Sequence, residues 1–164
     1  NNTTELLSKI TEQNNSLIML IQMLANTGIN IVPLLEMLGN TITVISDTVT
    51  QMYQYSDNNN PDNKLKGIVY APNLETVESR SIDDNSGMTT IIMPKVKTIK
   101  SQGFWASYGL KTVFIPNACT SLATNAFSMC GNLTNIYIDN VEGTFGDIAA
   151  DSSLPNLKVT YLKK

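Results

Sequence analysis

The sequence of 164 residues contains no histidine, two cysteines and few charged residues, with 11 basic against 14 acidic side chains. Histidine is the commonest general base and the commonest neutral metal ligand, so its absence removes the usual centre of acid-base and metal chemistry. The formal net charge of −3 offers no basic surface of the kind that binds nucleic acid. We therefore expect neither an enzyme nor a nucleic-acid-binding protein.

Other patterns that carry chemistry are also missing. The sequence has no glycine-rich phosphate loop, no nucleophile elbow and no Cys/His metal set. Asp57 and Asp62 lie among asparagines, but they lack the fixed spacing of a calcium loop. Asp83 and Asp84 fall in a predicted loop and are interpreted as solvated charge. The sequence thus predicts no catalytic residue, no cofactor and no metal.

The cysteines and the apolar runs exclude two further features. Cys119 and Cys130 stand where core residues are expected, so we predict buried free thiols rather than a disulfide. The longest apolar run near the amino terminus, from Leu17 to Ile21, is far shorter than the ~20 residues that cross a bilayer. We expect no membrane insertion.

A short pattern occurs four times in the second half of the chain, at steps of 22 or 23 residues. Each copy has apolar residues at its first, fourth and sixth positions. Such a period is typical of a solenoid in which every unit supplies one strand and stacks on its neighbours. Proline follows three of the four strands and is expected to end them. The copies are Leu65–Pro72, Met88–Pro94, Leu110–Pro116 and Leu133–Asp139.

The second half of each unit repeats as well. The segment beginning at Ile99 aligns with the one beginning at Leu122, including Phe104 with Phe127. The whole unit from Leu110 to Leu133 resembles the BspA-like class of leucine-rich repeat, which reads L-x-x-I-x-I-P followed by A-F-x-x-C-x-x-L. The resemblance covers residues 65–164. It implies a repeat fold with a surface-binding habit, because this class occurs in bacterial surface adhesins and in bacteriophage structural proteins.

The amino-terminal third shows a different period. Apolar residues recur with the a/d spacing of a coiled coil, and flanking apolar positions widen the stripe, which favours three or more helices. Asn14 is a candidate for fixing the register. The predicted oligomerisation residues are Ile10, Asn14, Leu17, Ile21, Leu24, Ile31, Leu35, Leu38, Ile42, Ile45, Val49 and Met52.

One segment opposes a continuous helix. Gly28 and Pro33 both disfavour helical backbone, so a kink or a full break is expected between them. Two interpretations follow. Because the heptad frame passes through unshifted, we favour a parallel oligomeric stalk with a local distortion. The alternative is a helical hairpin within one chain, with the first helix ending near Asn26 and the second starting near Pro33.

The strands of the repeat predict an interaction surface. Residues between the inward positions should point outward and form an apolar row of stacked side chains, with a smaller polar row beside it. Two interpretations stay open: recognition of a protein or glycan, or burial against another subunit or the stalk. The predicted surface consists of Val69, Ile92, Phe114, Tyr137, Thr90, Thr112 and Asn135.

Together these patterns predict an α+β protein. A long or kinked coiled-coil helix at residues 1–55 is followed by a linker at 56–64 and a leucine-rich-repeat solenoid of four to five repeats at 65–164. We interpret it as a non-enzymatic, trimeric phage fibre or spike subunit on the virion surface, binding another virion protein or a host surface protein or glycan. The alternatives are a fragment of a bacterial cell-surface adhesin and an internal virion adaptor.

Overall fold

The computed structural model describes residues 2–53 and 65–164, and within the first helix it leaves the side chains of residues 11, 14 and 15 undescribed. The predicted linker at 56–64 and the side chain of Asn14 lie outside the described part. Two helices come first, α1 (Asn2–Ala25) and α2 (Val32–Met37). The remainder is built from short strands.

The strands alternate between two faces of a solenoid. The first face carries β1 (Ile42–Val44), β3 (Gly67–Tyr70), β5 (Met88–Ile92), β7 (Thr112–Ile115), β9 (Asn135–Val141) and β10 (Lys158–Lys163). The second face carries β2 (Gln51–Met52), β4 (Thr76–Val77), β6 (Thr98–Ile99) and β8 (Ser121–Leu122). A short 3₁₀ helix (Ile148–Ala150) lies between β9 and β10.

All strand pairs in the described residues are parallel, as stacking of equivalent units requires. On the first face, the pairing orders are β1-β3-β5 and β7-β9-β10, and on the second β2-β4-β6-β8. The two groups of the first face adjoin where the amide of Lys111 donates to the carbonyl of Thr89 at 3.0 Å. The predicted repeat solenoid is confirmed.

The core lies between the two faces and runs the length of the stack. The rings of Phe104 and Phe127 are stacked with centroids 5.0 Å apart, one repeat from each other. Cys119 and Cys130 are buried in this core as free thiols, as predicted. The first-position residues of the four sequence copies are all buried there: Leu65, Met88, Leu110 and Leu133.

The predicted register of the first copy is wrong by one residue. Val69 pairs with Ile91 and faces the core, so its predicted place in the outward row is wrong. The cause is a register shift between Gly67, whose φ is +63°, and Ile68: these neighbours pair with Met88 and Thr90, so the pairing skips Thr89 of β5. Since side chains alternate along a strand, a register shift of one residue turns every side chain of the strand to the opposite face of the sheet. Ile68 and Tyr70 therefore point outward.

The heptad prediction is wrong beyond the first helix. Residues 42–52 form β1 and β2, the first turn of the solenoid, and the chain has no long coiled coil across this segment. Ile45 and Met52 belong to the solenoid core, and Val49 packs against it. The repeats thus begin before residue 55, where the sequence placed the end of the stalk. Strand pairing of Ile42 with Ile68 fixes this arrangement.

The expected break between Gly28 and Pro33 is complete. The first helix ends at Ala25, and Gly28 follows with a φ of +87°. The second helix begins at Val32, with the proline in its first turn, where the missing amide donor costs nothing. These boundaries match the alternative of two separate helices within one chain and contradict the favoured continuous stalk.

Candidate interaction surface

The outward side chains of the first face form two rows across the solenoid. The register of β1, β3 and β5, and that of β7, β9 and β10, places equivalent residues side by side. One row contains Ile42, Ile68, Thr90, Thr112, Asn135 and Lys158. The other contains Val44, Tyr70, Ile92, Phe114, Tyr137 and Thr160.

The amino-terminal helices cover much of this face. Ile21 and Ala25 of α1, together with Ile31 and Leu35 at α2, form one buried cluster with outward residues of the sheet. Those sheet residues are Ile68, Tyr70 and Ile92. Burial of this apolar surface is the driving force that holds the helices against the solenoid.

Four predicted surface residues of these two rows are therefore not accessible. Ile92 is 0% exposed and Phe114 is 2% exposed, although both point away from the solenoid core as predicted. Thr90 and Thr112 are buried as well. Of the two interpretations of the apolar row, burial is the one that holds for these positions, and the covering segment comes from the same chain. An apolar row on a sheet requires a cover, but the row itself does not identify that cover.

The covered region contains two polar atoms without a hydrogen-bond partner. Gln22 is 3% exposed, and it follows Ile18 by four residues and precedes Ala25 by three, so it lies on the buried side of α1. Its Nε2 has no acceptor, and the Oγ1 of the buried Thr90 also lacks a partner. A buried donor or acceptor that is left unpaired costs about 1–3 kcal/mol. The contact between helices and sheet is thus less stable than its apolar area implies.

Part of the same face stays open at the last two strands. We call it the β9–β10 patch and define it as Asn135, Tyr137, Asp139, Lys158 and Thr160. Lys158 is exposed and the other four side chains are partly exposed. Tyr137 and Thr160 are register partners, and the carboxylate of Asp139 lies 3.8 Å from the Nζ of Lys163. An aromatic ring is thereby surrounded by amide, hydroxyl, carboxylate and ammonium groups.

A groove that the sequence did not predict lies where the helices meet the first repeats. It encloses about 530 Å³ between the α1–α2 connection and the ends of β1, β3 and β5. Tyr70, Pro72 and Lys95 line it together with Asn30 and Asp47. Burial raises the pKa of the Tyr70 hydroxyl. No local motif could have revealed this groove, since its walls come from four separate segments.

Neither a metal site nor a membrane span is found within the described residues. No group of three or more Cys, Asp or Glu side chains is placed to hold a metal ion in residues 2–53 and 65–164. In the same part of the chain, neither helix is both long and apolar enough to cross a bilayer.

Comparison with known proteins agrees with the geometry of the solenoid. Residues 40–160 match a family described as the BspA type leucine-rich repeat region, in six copies. The match begins close to β1 and ends within β10, so it includes the repeat that the sequence had placed in the stalk. Neither the curated proteins nor the solved structures contain a match. The match is typical of a surface or adhesion-type repeat protein, and since it spans most of the chain, the chain belongs to the BspA-type leucine-rich repeat family.

Proposed function

We propose that this chain is a non-enzymatic recognition module of a surface protein, and that the β9–β10 patch binds its target. One observation carries the proposal: the helices cover the outer face of the sheet as far as Phe114 and leave the patch open. A solenoid presents the residues of neighbouring strands as one rigid surface, which suits recognition of another surface. The target class is a glycan or a protein on a cell.

The chemistry of the patch fits such a target. Tyr137 offers an apolar ring with a polar tip, the combination that is enriched at binding interfaces. Asn135 and Thr160 provide amide and hydroxyl groups of the kind that hydrogen-bond sugar hydroxyls or peptide groups. Asp139 and Lys158 add one charge of each sign, so the patch has no strong preference for an anion or a cation.

The site of display that we propose is a bacterial cell surface. Membership of the BspA-type family is consistent with cell-surface association. Assignment to a trimeric virion fibre depended on a continuous stalk, and the helix instead ends at Ala25. The virion fibre and the internal virion adaptor stay predictions, and the family membership and the helix boundaries do not support them.

The proposal is tested by changing Tyr137 to Ser and measuring binding to a glycan array and to intact bacterial and host cells. Removal of the ring should lower binding at least tenfold while the melting temperature changes little, since the side chain is partly exposed. Tyr108→Ser is the matched control, because Tyr108 is 48% exposed and lies outside the patch. Equal binding by both variants, or equal loss in both, would reject the patch as the target site.

A further inference from the structure

Helix α1 carries a second apolar stripe on the side that does not contact the sheet. Ile18, Ile21 and Ala25 lie on the side that packs on the solenoid. A different set of side chains faces solvent, each between 39% and 60% exposed. This set is Leu6, Ile10, Leu17, Leu20 and Leu24.

The spacing of these exposed residues is that of a coiled-coil seam. With Gln13, which is also exposed, they follow one another at alternating steps of four and three residues, from Leu6 to Leu24. A seam of this kind lies along one face of a helix and fits between the side chains of a second helix. It differs from the seam predicted from sequence, because Ile21 is occupied by the sheet and Leu20 takes its place.

The seam is accessible to another helix along its length. Every described side chain from Asn2 to Leu17 is exposed. The contacts of α1 with the sheet therefore involve only its last two turns. A partner helix that approached the seam would meet solvent-exposed side chains and not the solenoid.

We propose that the exposed seam of α1 pairs with the same helix of a second copy of this chain, in parallel and in register. Gln13 indicates that the partner helix is a second copy of α1. It is the one polar residue in the seam, and an in-register parallel copy places a second Gln13 amide opposite it, where donor and acceptor can pair. An antiparallel copy would place Gln13 opposite Leu17, as the seam is centred between them. A single polar layer of this kind selects register and orientation in coiled coils.

The area and the charges are compatible with such a pair. The five seam residues with Leu7 and Met23 expose on the order of 600 Å² per chain, so two copies would cover about 1,200 Å², the lower end of stable interfaces. Lys9 flanks the seam, and in a parallel pair it faces position 14 of the partner, which is uncharged. No like charges are brought together at the seam.

Disulfide trapping tests the orientation. Leu6 and Leu24 are 18 residues apart, about 27 Å along a helix. In a parallel pair, Leu6→Cys alone and Leu24→Cys alone should each form a covalent dimer on mild oxidation. Cys119 and Cys130 are buried in the core and should not interfere. Cross-linking only in a mixture of the two variants would show an antiparallel pair and overturn the proposal.

Sedimentation equilibrium tests the seam itself. The unmodified chain should have a mass of two or more chains, and Leu17→Gln combined with Leu20→Gln should reduce it to one. Met37→Gln is the matched control, because Met37 is 83% exposed on α2 and should leave the mass unchanged. A monomeric unmodified chain, or an oligomer that survives the double change, would refute the pairing. Neither result depends on the β9–β10 patch, so the two proposals fail separately.

Discussion

The hydroxyl of Ser128 donates a hydrogen bond of 2.5 Å to the carboxylate of Asp151, which lies 23 residues later in the chain. The other carboxylate oxygen accepts from the amide and the hydroxyl of Ser153, at 2.9 and 2.6 Å. The Ser153 hydroxyl in turn accepts from the amide of Met129 at 2.8 Å. These bonds fasten the segment after β9 to the turn of the preceding repeat.

Asp151 should make stability depend on pH. Burial alone would raise the pKa of this carboxyl, but the hydrogen bonds from Ser128 and Ser153 outweigh it and lower the pKa below its ordinary value of 3.8. A lowered folded-state pKa means that the stabilisation is complete above that ordinary value and is lost as pH falls through the folded-state pKa. Asp151→Asn should therefore cost about 1–3 kcal/mol at neutral pH and progressively less in acid.

Denaturant unfolding at a series of pH values measures this effect. Asp147→Asn is the control, because Asp147 is exposed in the same segment and its side chain makes no capping hydrogen bond to the 3₁₀ helix. It should change the free energy of unfolding by less than about 0.5 kcal/mol. A difference between the unmodified chain and Asp151→Asn that stayed constant with pH would contradict the ionic role of Asp151.

The unpaired atoms under α1 predict stabilising substitutions. Gln22→Met keeps the length of the side chain and removes a buried donor without an acceptor. Thr90→Val removes the unpaired hydroxyl and keeps the branched shape. Each should raise the free energy of unfolding by about 1 kcal/mol, as measured by thermal or urea unfolding. Thr120→Val, at an exposed position, serves as the control and should be neutral. Destabilisation by both buried changes would mean that these atoms are paired in solution.

Gly67 should tolerate no side chain. Its φ of +63° is in the left-handed region, and a Cβ there would overlap the carbonyl oxygen of Thr41. Gly67→Ala should destabilise the fold by more than about 1 kcal/mol, because strain and overlap add. Gly131→Ala is the matched control, since its Cβ would have open space and its φ is not positive. Comparable unfolding midpoints for the two variants would contradict the irregularity at β3.

The two thiols should be inert in the folded protein. Burial raises the pKa of Cys119 to about 11 and that of Cys130 to about 12, and the reactive form is the thiolate. Alkylation at pH 8, followed by mass spectrometry, should modify neither residue in the native state and both in denaturant. Rapid labelling of the native protein would show that this part of the core opens readily.

The sequence copies after Leu65–Pro72 were predictable because apolar residues alternate along each strand, and because proline follows β5 and β7. The inward positions of β5, β7 and β9 are as predicted, and only the copy at β3 is shifted, by the irregularity at Gly67. A register shift of one residue hardly changes the apolar pattern of the sequence, yet it exchanges the core-facing and the outward side chains of the strand.

The amino-terminal segment was harder to predict, because a spacing of seven residues fits both a coiled coil and a repeat of the solenoid. Ile45 and Met52 are seven residues apart, as in a coiled coil, but Ile45 directly follows β1, Met52 lies in β2, and both face the core of the solenoid. The coverage of Ile92 is also not a local property. It depends on Ile21 and Leu35, which lie more than 50 residues away in the chain.

The incomplete cover over the sheet has a consequence for how such a protein can vary. Because each turn of a solenoid touches only its neighbours, an additional unit of 22 or 23 residues inserted between β9 and β10 would extend the uncovered side alone. The surface available to a target would widen by one strand, while the helical end and its proposed self-association would be unaffected. The width of the target-binding surface and the proposed pairing of α1 can therefore evolve independently in this architecture.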